Sequence, residues 1–263
     1  MNLALISQDL NALMQQTAAF MEVQKTKFEL THVSSKGLNQ LVSFVDIETE
    51  KFLVKGLSKI VPEAGFITEE NTSSVGEQTY NWIIDPLDGT TNFIHGVPVY
   101  SISVALAKGN ELLVGAVYEL GRKELFHAYL NGGAFLNGAA IHVSQCTQLS
   151  DSLMATGFPY YDFEQMTSYL EVLKILMKET HGLRRMGSAA VDLAYVACGR
   201  FDGFFEYGLH AWDVAAGCLL VSEAGGKLSD FKQGQNHVFG DTIIASNAQL
   251  LQPLQMIIQQ QFA

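Results

Sequence analysis

The sequence predicts an α/β protein, with an α+β first half followed by an α/β second half. Three observations carry that expectation. An amphipathic helical pattern opens the chain, with Leu3, Ile6, Leu10, Leu13, Met14, Thr17 and Met21 recurring at three- and four-residue spacing. Short apolar runs separated by Gly109-Asn110, Asn131-Gly132-Gly133 and Asn137-Gly138 fill residues 100–143 and read as an antiparallel meander. From residue 153 onward strand and helix patterns alternate. A chain of 263 residues can bury a large core, as one domain or two coupled halves. The change of character puts a boundary within 144–151, giving halves of 1–147 and 148–263.

Taken in order, residues 3–28 form the first expected helix. Residues 31–40 are polar, contain Gly37, and read as a loop; Lys36 there is a solvated lysine or a neighbour of a bound anion. A second helix runs from Ile47 to Ile60 and stops before Pro62. Asp46 precedes it and suits the positive helix start. Gly65 to Glu70 reads as a strand ending in two glutamates, whose side chains would point to opposite faces. Strands follow at 100–107, 112–120 and 123–130, then a hairpin at 134–143. In the second half we expect a strand at 153–156, a helix at 163–178 and a small-residue helix at 189–198. A strand at 202–207, a helix at 213–224 stopped by Gly225-Gly226, a strand at 242–246 and a closing helix at 248–260 complete the chain.

Composition narrows the function. Hydrophobic residues make up 48% and charged residues 16%, so the chain is globular. The net charge of −11 and the absence of a basic run argue against direct nucleic-acid binding and against anionic membrane surfaces. An anionic substrate stays possible, because a bound cation reverses the local field. Cys146, Cys198 and Cys218 lack zinc-site spacing and read as free thiols. No signal peptide and no membrane-length apolar run is evident, which suits a cytoplasmic protein.

The most informative stretch is Trp82 to Phe93. Trp82, Ile83 and Ile84 read as the end of a buried strand. Asp85-Pro86-Leu87-Asp88 fits a type I turn, which brings its first and last Cα atoms within ~7 Å. Two carboxylates then converge at a strand end. Without basic partners they repel unless a cation lies between them, and hard divalent cations prefer oxygen ligands. Gly89 and Thr90 open a short helix whose free N–H groups suit a phosphate. A metal site beside a phosphate site points to metal-assisted phosphoryl transfer. A plain surface turn is the bland alternative, opposed by the apolar residues on both sides.

Asp85-Pro86-Leu87-Asp88-Gly89-Thr90-Thr91-Asn92-Phe93 resembles the signature of the inositol monophosphatase family. Three further stretches match that family in order: Asp46 after Leu41-Val42-Ser43, Glu69-Glu70, and Trp212-Asp213-Val214-Ala215-Ala216-Gly217. The match runs from about residue 36 to about 246. Two departures stand out, Gln40 where many relatives carry aspartate and Thr68 where glycine is frequent.

The resemblance implies a layered α-β-α-β-α sandwich of the sugar-phosphatase type. It implies Mg²⁺ held by Glu69, Asp85, Asp88, Asp213 and the Leu87 carbonyl, with two ions stabilising the attacking and leaving oxygens. Thr90, hydrogen-bonded to Asp46, would orient the attacking water, with Glu69 helping among the catalytic groups. Asp88, Gly89, Thr90 and Asp213 would also meet the substrate. Glu206 would bind its ring hydroxyls, with Gly187, Ser188 and Ala189 forming a second wall. The activity implied is hydrolysis of inositol monophosphate to inositol and phosphate, with inhibition by Li⁺ and a homodimer. Thr91-Asn92 favours the inositol branch. Rivals are a phosphatase of histidinol phosphate, a 3′-phosphonucleotide or a sugar bisphosphate, and a protein-binding regulator on the same fold. His210 reads as support for the site.

Overall fold

The computed structural model describes residues 1–27, 33–37, 40–73, 78–159 and 163–262, with the backbone alone at 33–37 and 40–42. The chain begins with α1 (Leu3–Lys25), a hairpin of β1 (Val33–Gly37) and β2 (Gln40–Ser43), and α2 (Phe44–Ile60). Next come β3 (Gly65–Thr68), β4 (Tyr80–Asp88) and the short α3 (Thr90–His95). The meander follows as β5 (Ser101–Lys108), β6 (Glu111–Glu119), β7 (Glu124–Tyr129), β8 (Gly133–Leu136) and β9 (Ala139–Ile141). The second half adds β10 (Leu153–Thr156), α4 (Met166–Glu179), β11 (Gly182–Arg184), α5 (Ala189–Ala197) and β12 (Gly203–Tyr207). It closes with α6 (Ala211–Glu223), β13 (Lys227–Ser229), β14 (Thr242–Ser246) and α7 (Leu251–Gln261).

Five layers result. A seven-stranded sheet runs β3-β4-β5-β6-β7-β8-β9, and a five-stranded sheet runs β11-β10-β12-β14-β13. Side chains alternate along a strand, so β4 feeds two cores. Trp82 and Ile84 join α1 and α2 on one face, while Ile83 joins α5 and α6 on the other. The far side of α5 and α6 meets Phe204, Ile243 and Ala245 of the second sheet. The outer face of that sheet packs Phe205 and Ile244 against Tyr169 of α4 and Leu254 and Ile258 of α7. The order is therefore helix, sheet, helix, sheet, helix. Helix α5 is buried along its whole length. Small residues such as Ala190, Ala194 and Ala197 let it fit between two sheets.

Several local expectations change. The polar stretch read as a loop contains the antiparallel pair β1 and β2; the Lys36 side chain and residues 31, 32, 38 and 39 lie outside the described residues, as does residue 28 at the expected end of the first helix. Helix α2 begins at Phe44, before Asp46, because Ser43 caps it. Strand β3 ends at Thr68, so Glu69 and Glu70 sit in the bend after it. The three-residue strands β11 and β13 were not expected. Among the described residues no helix is long and apolar enough to cross a membrane.

Candidate active site

The Asp85–Asp88 segment is a bulged strand and not the type I turn its composition suggests. Asp85 pairs with Ser103 and Asp88 with Ser101, so three steps along β4 oppose two along β5. One extra residue is a β-bulge. In a regular strand, positions three apart face opposite ways. The extra residue returns Asp85 and Asp88 to the same side. Pro86 lacks an N–H for the ladder and is tolerated at such an irregularity. The Leu87 N–H donates to Asp85 Oδ1 at 2.9 Å, which fixes that carboxylate.

Gly89 then reverses the chain with φ +93°, a conformation that favours glycine. A Cβ there would also meet the Gly187 and Val99 carbonyls at 3.0 and 3.1 Å. Helix α3 starts at the next residue. Thr90 Oγ1 lies 3.1 Å from Asp46 Oδ1 and 3.0 Å from the Leu87 carbonyl. Asp46 is the third residue of α2, and its Oδ2 accepts the Ser43 N–H at 2.9 Å and the Ser43 hydroxyl at 2.6 Å. This capping box commits one carboxylate oxygen to the helix and leaves the other for Thr90.

The second half supplies the opposite wall. Ser188 caps α5, and its hydroxyl donates to Asp88 Oδ2 at 2.6 Å. The Ala190 N–H donates to the same oxygen at 2.7 Å, so a carboxylate of the first sheet binds the start of α5. Asp213 is the third residue of α6 and repeats the arrangement at Asp46: its Oδ2 accepts the His210 N–H at 2.6 Å. One oxygen from each of Asp85, Asp88 and Asp213 lies within 4.8 Å of the others. They line a cavity of about 280 Å³. Glu69, Leu87, Gly89 and Thr90 line the same cavity from the first half, and Gly187, Ser188, Ala189 and Glu206 from the second. Asp46 adjoins it through Thr90. The resemblance brought these residues together in expectation; the structure brings them together in space.

Electrostatics at this point are unfavourable for the protein alone. Burial, then the charges of Glu69, Asp88 and Asp213, hold the Asp85 carboxyl well above its ordinary value. Asp213 is raised well above its own, by burial and then by Asp88. Burial lifts Asp88 to about 6 against the hydrogen bonds from Ser188 and Ala190 and the nearby Arg185. Burial first and Asp213 second raise Glu206 as well. Carboxylates crowded this way favour a cation between them, and a donor set made only of oxygen suits a hard divalent ion. The residues therefore fit a metal centre.

Two residues at the site were not singled out from the sequence, and a third, Asn92, entered only as a mark of the inositol branch. Asn92 Nδ2 donates to the Val99 carbonyl at 2.7 Å and to the Met186 carbonyl at 2.8 Å. Arg185 and Asp192 line the cavity. Asp192 had a legible signal, since it is the one charged residue in the Ala189–Ala197 helix. The hydrogen bonds of Asn92 had none beyond its place in the central motif.

Fold and site together define a phosphatase that works with a bound metal and acts on small phosphate esters. The model of the inositol monophosphatase family matches residues 6–261, and the chain belongs to that family. It is 43% identical over 216 residues to an inositol-1-monophosphatase of Mesorhizobium japonicum, covering 82% of this chain and 81% of that protein. It is equally 43% identical over 227 residues to Nus factor SuhB of Salmonella typhimurium, covering 86% and 85%. Among solved structures, the extragenic suppressor protein suhB of Bartonella henselae superposes with a TM-score of 0.90 at 37% identity, covering 96% of this chain and 97% of that one.

Proposed function

We propose that this protein hydrolyses inositol monophosphate to inositol and phosphate with Mg²⁺ as its metal. The observation that carries the substrate is Glu206. Its side chain is only 5% exposed, lines the same cavity as the acidic triad, and receives no hydrogen bond among the described residues. A buried carboxylate without donors suits a ligand rich in hydroxyls.

Glu69, Asp85, Asp88, Asp213 and the Leu87 carbonyl would hold the metal. When bound, Mg²⁺ supplies Lewis acidity, lowering the charge on phosphate oxygens and making water a better nucleophile. The chain's own residues do the rest. Thr90 has a single hydroxyl proton; donated to Asp46, it leaves the Oγ1 lone pairs to accept a proton from the attacking water. Asp46 is held for this by Ser43, against a burial that raises its pKa. The Gly89 and Thr90 backbone would meet phosphate oxygens, and Glu206, beside Gly187, Ser188 and Ala189, would accept from hydroxyls of the leaving group. Inhibition by Li⁺, a homodimer and a cytoplasmic location are part of the same proposal, on the strength of the resemblance.

Phosphate release from inositol 1-phosphate, histidinol phosphate, a 3′-phosphonucleotide and fructose 1,6-bisphosphate tests it, with Mg²⁺, without metal, and with Mg²⁺ plus Li⁺. Inositol phosphate should lead, with Mg²⁺ dependence and Li⁺ sensitivity. A different leading substrate would overturn the substrate assignment. The name of the Salmonella relative supports a second reading, a protein-binding role on the same fold. No release under any condition would favour it.

A further inference from the structure

Helix α5 holds a residue that the reaction described above does not use. Every position from Ala189 to Ala197 is buried, and all but one are uncharged. The exception is Asp192, which is 1% exposed. An aspartate in such a helix needs a reason. Favourable interaction with the helix start is one, since Asp192 lies in the first turn, but an effect of about 1 kcal/mol does not offset burial of a carboxylate lacking donors. Asp192 Oδ1 is buried without a hydrogen-bond partner among the described residues. Yet Asp192 lines the same cavity as Glu206.

Glu206 is in a similar condition. Its carboxylate lies flat over Gly157, where a Cβ would fall 1.9 Å from Oε1 and 2.1 Å from Oε2. The Gly157 backbone is fixed in turn by the Tyr169 hydroxyl, which donates to its carbonyl at 2.6 Å. Burial first, and then the neighbouring carboxylates, hold both groups well above their ordinary values, and nearby Arg185 acts against that rise. Two buried carboxylates, close enough to act on each other, therefore line one cavity, and Asp192 Oδ1 and the Glu206 carboxylate show no hydrogen-bond donor among the described residues.

We propose that Asp192 is a second hydroxyl acceptor of the leaving-group pocket, acting beside Glu206 so that the enzyme selects alcohols carrying at least two further hydroxyls. This rests on the inositol phosphate reading above. Each hydroxyl of a polyol donates one hydrogen bond, and two acceptors on one wall need two donors on one face of the ring. An alcohol without them leaves both carboxylates buried and unpaired, which is the strongest form of rejection a polar pocket offers.

The test compares kcat and KM for inositol 1-phosphate, cyclohexyl phosphate and phenyl phosphate, in the wild type and in Asp192→Asn. For the variant we expect KM for inositol 1-phosphate to rise about tenfold or more, and kcat/KM for the two hydroxyl-free esters to stay within about twofold. Equal losses on all three, or no loss on any, would overturn the proposal. A structural role alone would lower all three together. If Asp192→Asn does not fold, the wild type decides with cyclohexyl phosphates carrying one and two added hydroxyls. Two separate gains in kcat/KM support the pair of acceptors, and a single gain refutes it. A wild type that prefers cyclohexyl phosphate to inositol 1-phosphate would instead overturn the substrate reading itself.

Discussion

Asn92 and Met186 stand 94 residues apart and are joined by one hydrogen bond, from the side-chain amide to a backbone carbonyl at 2.8 Å. The same amide nitrogen donates to the Val99 carbonyl. Both of its protons are therefore used, one in each half of the chain. Asn92→Ala leaves two carbonyls unpaired and frees the segment before Gly187. We expect a loss of roughly 1–3 kcal/mol in urea denaturation. We also expect kcat/KM to fall more than about tenfold, because the wall carrying Ser188 would shift. Unchanged kinetics in a destabilised variant would separate the bond from the site.

Asp88 is held by Ser188 and Ala190 and repelled by its acidic neighbours. Asp88→Asn removes a buried charge while keeping its shape. Turnover should fall by about a thousandfold or more, on the scale of losing one electrostatic contact in a site of this type. The fold should survive, with circular dichroism and the metal-free Tm unchanged or higher. Full activity in this variant would remove Asp88 from the metal site.

Metal should show itself without any substrate. A ligand that binds only the folded state stabilises it by about 2.7 kcal/mol at a hundred times its Kd. Adding Mg²⁺ to chelator-treated protein should raise the Tm by several degrees, and Asp213→Asn should lose most of that rise. An equal rise in wild type and variant would place the ion elsewhere.

Gly157 lies against Glu206, so Gly157→Ala pushes a Cβ into the carboxylate at 1.9 Å. The side chain must turn away. Hydrolysis of inositol 1-phosphate should drop at least tenfold in kcat/KM, while phenyl phosphate stays within a few-fold. Parallel losses would mean that the backbone, not the carboxylate, had moved.

Far from the cavity, Arg200 donates to Glu124 through two nitrogens, at 2.5 and 2.7 Å, and its guanidinium covers the Tyr195 ring at 4.6 Å. The Arg200 hydrogen bond holds the Glu124 carboxyl below its ordinary value of 4.5. A folded value below the unfolded one makes this contribution complete above about 4.5 and lost as pH falls through the lower folded value. Glu124→Gln should cost on the order of 1 kcal/mol at pH 7, and urea midpoints of wild type and variant should converge towards pH 3. A gap that persists at pH 3 would assign the loss to packing.

The parts of the fold legible in the sequence are those set by nearby residues. The meander follows from its turn residues, and α1 from its apolar spacing. Asp85, Asp88 and their glycine were legible because one short segment holds them. The turn was misread because Asp, Pro and Leu-Asp serve a bulge as well as a turn, and only pairing with Ser101 and Ser103 decides between them. Strands β11 and β13 are too short for any periodicity to register. That Glu69, Asp213 and Glu206 meet Asp88 was not in their spacing at all; the family resemblance supplied it. The Asn92 bond to Met186 joins distant segments through a backbone carbonyl, which every residue has and no sequence pattern marks.

The central helix layer also has a consequence during synthesis. The seven-stranded sheet is complete once Ile141 has been made, but one of its faces is covered only when α5 and α6 arrive. Those helices end about 80 residues later, roughly 4–16 s at ordinary translation rates. Throughout that interval the emerging chain carries a finished sheet with a bare greasy side, displaying Ile83, Ala105 and Val117 to whatever is near the ribosome. A pause or truncation in that window would leave that apolar side without the helices that cover it.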